Sequence, residues 1–461
     1  MSAGAYEEAG YWLASAGPIV PRPALEGGLR ADVAILGAGF TGLWTALYLL
    51  RREPGLKVVV LEREVAGFGA SGRNGGWCTS DLNASLGLLA RRFGRQGAVA
   101  VQRAMYEAVD EVGAAAAAEG LDAEYEKAGV LLVARGDHQL AALEAAAREY
   151  EAFGFGDRHR LLGPAEAAAV VDVRGARGGL YSPDTAALHP GRLVRGLAEA
   201  VERRGAVLYE RTPVTGYRSG RRPELIAAGG SVRADVVVLA GEAYLTRFRP
   251  WHRRLLPLYS LVVMTEPVEP ALLAAVGWTR RVCLASMRLT VDYLSRTRDG
   301  RVLFGGRGAP YNFASAIRPR TERHAGTHEM LRRMFADWFP SLAGVRFSHA
   351  WGGVLGMPRD WIPSITYSRE RGFAMAGGYT GHGVATSNLA GRALADLITG
   401  ARTELTELPL VGHRSPSWEP EPLRWLGARA VQRGLKRVDA RAERTGRAPS
   451  GRTLAERLAR H

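Results

Sequence analysis

The period of the apolar positions changes along this chain, and the changes mark the elements. Residues 32–36 are a short apolar run with β-branched members, the pattern of a strand buried in a parallel sheet. Residues 43–52 have helical composition and stop at Glu53-Pro54-Gly55, and 57–61 form a second apolar strand that ends at Glu62. Residues 85–119 read as one or two helices, 129–134 as a strand, 139–153 as a helix and 179–182 as a short strand. His189-Pro190 opens a helix over 191–204, proline being suited to a first turn. Strands are expected over 206–209 and from Val214 onward. Residues 234–240 are a fully apolar strand closed by Gly241-Glu242-Ala243-Tyr244. By contrast, 258–265, 282–286, 290–295 and 302–305 alternate between apolar and polar positions. That period predicts an antiparallel sheet with one solvated or cavity-facing side. A helix over 327–339, a strand over 373–376 and a helix reaching about 399 follow. The lead-in, 1–30, is irregular, and the tail from 403 becomes Arg-rich and helix-like over 423–461.

At 461 residues the chain can bury a large core, expected as two interleaved domains. The formal net charge is +15, carried by Arg, since the only lysines are Lys57, Lys127 and Lys436. Arg usage bias, attraction of anionic substrates and nucleic-acid binding each accommodate that charge. Cys78 and Cys283 form no metal pattern and no disulfide framework, so no metal is expected and a reducing compartment is the default. The first 17 residues carry acids where a signal peptide needs bases, which points to a cytoplasmic protein. Residues 33–50 are apolar enough to suggest a membrane helix, but their glycines have a better explanation, so no membrane span is expected.

Those glycines are Gly37, Gly39 and Gly42, in G-x-G-x-x-G spacing between the first strand and the helix that contains Phe40 and Thr41. Gly37 makes the tight turn, Gly39 lets a pyrophosphate approach the backbone, and Gly42 lets the helix pack on the strand. Glu62 follows Gly42 by 20 residues, where a carboxylate accepts hydrogen bonds from a ribose. It argues against a 2′-phosphate, although Arg63 stands beside it. FAD and NAD share this fingerprint. Residues 67–76 extend it with a long Gly-rich loop containing Ala70, Ser71, Gly72, Arg73, Asn74, Gly75 and Gly76. Such a loop, with many N–H groups and few Cβ atoms, suits wrapping of a larger cofactor.

The loop resembles the second flavin-contact loop of the D-amino-acid oxidase/glycine oxidase superfamily, and its Ser-Gly-Arg-Asn-Gly-Gly form is most similar to the gamma-glutamylputrescine oxidoreductase branch. Residues 346–363 resemble the superfamily's W-x-G…D-x-x-P segment, with Trp351, Gly353, Asp360 and Pro363 in the matching places. A second glycine motif, Gly377-Gly378-Tyr379-Thr380-Gly381-His382-Gly383, enters a helix beginning near Val384. Free N–H groups and a positive dipole end there suit the flavin pyrimidine ring.

The resemblance implies an α/β fold: an FAD-binding Rossmann-like domain of the glutathione-reductase type, interleaved with an antiparallel-sheet α+β substrate domain. The expected bounds are 1–90, 186–245 and 346–402 for the first and 91–185 and 246–345 for the second, with 403–461 as a basic extension. That extension is either a solvated helix or a contact for a homodimer or an acidic partner. Val214 and Gly241 are expected to approach the cofactor. The implied reaction is oxidation of a C–N bond in a small amine or amino acid. Hydride passes from the α-carbon to flavin N5, and the imine is hydrolysed to a carbonyl compound.

His382 is a candidate for holding an amine neutral or stabilising reduced flavin, with a packing role as the alternative. Arg73 is a candidate for stabilising anionic reduced flavin or binding a substrate carboxylate, unless it lies on the surface. Trp77, Tyr293, Arg296, Arg307 and Trp351 are candidate substrate contacts, the arginines as clamps for a carboxylate or phosphonate. No Cys lies between Ser348 and Gly377, and Arg73 stands where some relatives attach flavin to a His, so FAD is expected to be non-covalent. No Lys lies between Lys127 and Lys436 to promote reaction with oxygen, which leaves both O₂ and an electron carrier open as acceptor. A flavoprotein acting on a modified nucleic-acid base is the alternative function, though no RNA-binding module is evident. A non-catalytic flavoprotein is a third.

Overall fold

The computed structural model describes residues 6–459. Residues 1–5, part of the acid-bearing N-terminal reading, lie outside the described residues. Two sheets carry the architecture. The first has six strands in the order Ser364–Ser368, Phe373–Gly377, Val236–Leu239, Val33–Leu36, Val58–Leu61 and Val207–Tyr209. All its pairings are parallel except that of the edge strand Ser364–Ser368. Its central strands, Val-Ala-Ile-Leu and two copies of Val-Val-Val-Leu, are almost wholly buried, as unbroken apolar runs require. One face is covered by the helices Phe40–Arg52, Leu86–Ala118 and Gly383–Thr399, which share a single apolar core with it. The other face packs on a four-stranded sheet that includes Gly27–Arg30 and Val214–Arg218.

The second sheet has eight strands. Phe347–Met357, Leu256–Thr265, Val302–Arg307, Asp292–Arg296 and Cys283–Ser286 follow one another as antiparallel neighbours, and Val130–Arg135 continues the sheet in parallel with the last. The helix Ala325–Trp338 fills its outer face with Leu331, Phe335 and Trp338.

One strand boundary differs from expectation for an identifiable reason. The strand expected over 290–295 is Asp292–Arg296. The Thr290 N–H and hydroxyl both donate to the carboxylate of Asp439, 149 residues away, and Val291 takes a left-handed φ of 57°. Residues 85–119, expected as one or two helices, form Leu86–Ala118, two helical segments joined across a non-helical Gly94 (φ 75°, ψ 164°). The domain boundary expected at 90–91 falls inside that helix, whose buried side chains Val101, Met105, Val109 and Val112 join the core of the parallel sheet.

Candidate cofactor and substrate site

The C-terminal ends of Val33–Leu36, Val58–Leu61 and Val236–Leu239 open onto a cavity of ≈ 900 Å³. Of the residues singled out in the sequence, Gly37, Gly39, Phe40, Thr41, Glu62, Arg63, Ala70, Ser71, Arg73, Asn74, Val214, Gly241, Trp351, Tyr379, Gly381, Gly383 and Val384 line it. The two glycine motifs, more than 300 residues apart, meet here through the hydroxyls of Thr41 and Tyr379 at 2.9 Å.

The fingerprint geometry follows from sterics. A Cβ on Gly37 would lie 2.7 Å from the Ala240 carbonyl oxygen, and one on Gly42 would lie 2.0 Å from that of Gly37. Gly42 therefore serves helix–strand packing and does not line the cavity. Gly39 caps the helix Phe40–Arg52 without a side-chain hydrogen bond, so the dipole end of that helix faces the cavity with no protein carboxylate on it. A Cβ there would lie 2.9 Å from Ser71 Oγ, which already accepts the Phe40 N–H at 2.8 Å. Glu62 accepts N–H groups of Ala38 and Glu64, each at 2.9 Å. Burial nonetheless pushes its carboxyl up to about 7, only partly opposed by those two bonds.

The loop 67–76 serves two faces. Gly72 is a packing glycine, since a Cβ on it would lie 2.3 Å from the Gly67 carbonyl oxygen. Arg73 is buried, not superficial: its Nη1 donates to Glu322 at 2.6 Å and its guanidinium sits 4.2 Å from the Phe68 ring centroid. Trp351 is pinned by a hydrogen bond from its indole Nε1 to the Arg73 carbonyl at 3.0 Å. Gly75 and Gly76 lie outside the cavity lining. A Cβ on Gly75 would lie 2.5 Å from the Tyr293 ring, so this glycine brings the loop against the eight-stranded sheet. Trp77 donates from Nε1 to the Leu294 carbonyl and meets Tyr293 edge-on.

Tyr293 and Arg307 share one face of that sheet, because Tyr293 pairs with Gly305 and Arg307 is two residues further on. Arg296 is the correction. Three residues from Tyr293, it has the opposite parity and points away. Its guanidinium donates to the Trp278 and Thr279 carbonyls at 2.6 and 2.8 Å, so it braces a turn; Trp77, Tyr293 and Arg307 are also not among the residues that line the ≈ 900 Å³ cavity. Arg307 is a half-buried guanidinium with no carboxylate partner among the described residues. Nη2 donates to the Thr380 carbonyl at 3.3 Å, and the group lies 5.7 Å from the Trp361 ring centroid. Burial pulls its pKa down.

His382 stands beside it. Its Nδ1 is 2.8 Å from the Asp81 carbonyl, a bond that fixes Nδ1 as the donor and leaves Nε2 as the acceptor in the neutral ring. Burial is the main reason its pKa falls below the ordinary histidine value, with Arg307 acting in the same direction and Asp81 against both. His382 does not line the ≈ 900 Å³ cavity; it faces the Arg307 side of the glycine turn.

One residue had no sequence signal beyond its place after a glycine that closes a buried strand. Glu242 lines the cavity, takes a left-handed φ of 45°, and accepts the Gly378 N–H at 2.8 Å together with bonds from the Tyr379 and Gly356 backbones. Gly378 itself is not among the lining residues, and a Cβ on it would lie 3.2 Å from Pro358.

These groups suit FAD: for phosphate, a helix end that carries no protein carboxylate; for ribose, the Glu62 carboxyl at the cavity wall; and glycines where a Cβ would close the space. Residues 32–397 match the FAD dependent oxidoreductase (DAO) family. The chain belongs to that family. It is an FAD-dependent oxidoreductase, with the Rossmann-like and antiparallel-sheet architecture of its relatives. It is 30% identical over 413 residues to gamma-glutamylputrescine oxidoreductase of Escherichia coli (strain K12), covering 88% of this chain and 93% of that protein. It is 25% identical over 392 residues to glycine oxidase of Geobacillus kaustophilus (strain HTA426), covering 82% and 96%. The crystal structure of glycine oxidase from Geobacillus kaustophilus superposes with a TM-score of 0.66 at 23% identity, over 84% of this chain and 99% of that one. Among the described residues no helix is long and apolar enough to cross a membrane.

Proposed function

We propose that this protein oxidises the C–N bond of a small amine that carries a carboxylate or similar anionic group. The observation that carries this reading is Arg307, a half-buried guanidinium without a carboxylate partner among the described residues, beside Tyr293 and His382. A partly desolvated cation of this kind is completed by a ligand anion, and its planar fork matches a carboxylate or phosphonate. The name of the E. coli relative, an oxidoreductase of a glutamyl-bearing amine, agrees in chemical class.

FAD, when bound, supplies the hydride-accepting chemistry. The chain's own residues do the rest. The Phe40–Arg52 helix end and Ser71 hold phosphate, and Glu62 holds ribose hydroxyls. Arg307 orients the substrate anion, and Tyr293 and Trp77 wall the site from water. His382 Nε2, the free acceptor of a neutral ring, takes the proton that an arriving ammonium must lose. We assign the cofactor domain to 6–118, 186–245 and 346–402 and the substrate domain to 119–185 and 246–345, moving the whole helix Leu86–Ala118 with the core it completes. FAD is held without a covalent bond, and the acceptor is O₂ or an electron carrier.

The test is an anaerobic screen of amines, amino acids and aminophosphonates that follows flavin absorbance, on wild type and Arg307→Ala. Bleaching by anion-bearing amines, with the half-saturating concentration raised at least tenfold in Arg307→Ala, supports the reading. Bleaching confined to amines without an anionic group, or equal in both proteins, overturns it.

A further inference from the structure

Beyond the family match, which ends at residue 397, the chain forms a 23-residue helix, Leu423–Thr445, and a short helix, Leu454–Ala459. The long helix segregates its charges by face. Neither of its two acids lies on the outward stripe: Asp439 is buried and accepts the Leu289 and Thr290 N–H groups, and Glu443, though exposed, pairs with Arg288 at 2.8 Å. Arg424 is also inward, paired with Glu421. The outward face carries Leu423, Leu426, Arg433, Arg437, Arg441 and Arg444, all exposed. At ~100° per residue these six fall within an arc of roughly 80°, along a helix about 35 Å long. None of the four arginines is in an ion pair among the described residues. Nine large apolar side chains are exposed among the described residues, and four of them, Leu423, Leu426, Leu454 and Leu458, lie in these last two helices. The short helix packs against the long one at Gly434, where a Cβ would lie 2.3 Å from that of Ala455.

We propose that this face docks the enzyme on an anionic lipid surface. Unpaired arginines in line with exposed leucines are the composition of a helix that lies in the headgroup layer, with leucines entering the acyl boundary and guanidiniums staying with phosphates. A folded acidic protein asks for a complementary broad surface, whereas this face is the convex crest of one helix. No aromatic residue falls within the stripe, so base stacking is not provided for. The mode needs no spanning helix, and it is independent of which amine is oxidised.

The test uses the FAD-loaded full chain in sedimentation with phosphatidylcholine vesicles, with and without phosphatidylglycerol, at low and high salt. Wild type is expected to sediment only with the anionic vesicles, and less at high salt. Each basic residue near such a surface contributes about fivefold, so Arg437→Glu with Arg441→Glu is expected to lower partitioning at least about 20-fold. Leu423→Ser with Leu426→Ser is expected to lower it about tenfold or more. All four positions are exposed, so flavin occupancy and circular dichroism are expected to stay at wild-type values. Wild type that remains in the supernatant with anionic vesicles overturns the proposal. So do variants that partition like wild type. Binding to duplex DNA without vesicle binding assigns the face to nucleic acid instead, and a dimer abolished by the leucine changes without vesicle binding assigns it to a second copy.

Discussion

Glu242 Oε2 accepts the Gly378 N–H at 2.8 Å, joining the turn after the Val236–Leu239 strand to the second glycine motif. The carboxyl also takes bonds from the Tyr379 and Gly356 backbones, yet burial pushes it up to about 7. The pH consequence has a definite sign. A raised folded-state pKa means that ionisation costs stability, a cost absent below the ordinary carboxyl value near 4.5 and complete above about 7. In apoprotein calorimetry, wild type should lose Tm relative to Glu242→Gln as pH rises from 5 to 8. A relative gain would show that the three backbone bonds dominate. Glu242→Ala should cost about 1–3 kcal/mol at either pH, because buried N–H groups lose their acceptor.

Arg73 and Glu322 form a buried pair across the two sheet bodies, 2.6 Å apart. Removing one partner of such a pair strands the other charge. Arg73→Met should therefore destabilise by about 3–5 kcal/mol, while Arg73→Met with Glu322→Gln should recover much of the loss. Denaturant titration of the two singles and the double measures the coupling. Additive losses would mean that the pair contributes nothing as a pair.

Gly39→Val places branched carbons where Ser71 Oγ already sits 2.9 Å from the Cβ position. It should displace Ser71 from the Phe40 N–H and leave a folded, colourless protein, read by flavin absorbance beside circular dichroism. Full flavin occupancy in that variant would move the phosphate site elsewhere.

The parts of this site legible in the sequence are those made by local backbone chemistry. The order strand, glycine turn, helix, strand and acid is contiguous, and each glycine is forced by a clash within the unit, as with Gly42 against the Gly37 carbonyl. Within one strand of the eight-stranded sheet, counting by two separates Arg296 from Tyr293; the placement of Arg307 on the Tyr293 face depends on the Tyr293–Gly305 register, which the sequence does not carry. What depends on distant partners was not legible. Glu242 has no meaning until Gly378 and Gly356 arrive, Arg73 until Glu322 arrives, and the start of the Asp292–Arg296 strand until Asp439 takes the Thr290 N–H.

No Cys lies between Ser348 and Gly377, and the 67–76 loop carries Arg73 and no His. Acid or heat denaturation of the yellow protein should release all flavin into the supernatant. Flavin that remains with the precipitate would reveal a covalent bond.

His382 differs from a surface histidine in two ways that together set its expected behaviour. Its Nδ1–H is committed to the Asp81 carbonyl at 2.8 Å, which orients Nε2, and burial holds its pKa below the ordinary 6.5. A lowered pKa means that the protonated ring is disfavoured in the folded protein, so at neutral pH the ring is a proton acceptor and not a cation. The anaerobic rate of flavin reduction should thus rise through a pKa below 6.5 and then level off until the substrate ammonium titrates. A cationic role predicts the reverse, a rate that falls through that pKa. His382→Ala should lose the acidic limb and reduce the rate by about 10²- to 10⁴-fold, the usual range for general base catalysis. Flavin occupancy should stay at the wild-type level, because His382 does not line the cofactor cavity. His382→Asn separates position from proton transfer: it can keep the bond to the Asp81 carbonyl but cannot accept the proton, so it should be as slow as the alanine variant. Stopped-flow reduction across pH 5–9 for the three proteins decides the matter, and wild-type rates in His382→Asn would reduce His382 to a brace for the glycine turn.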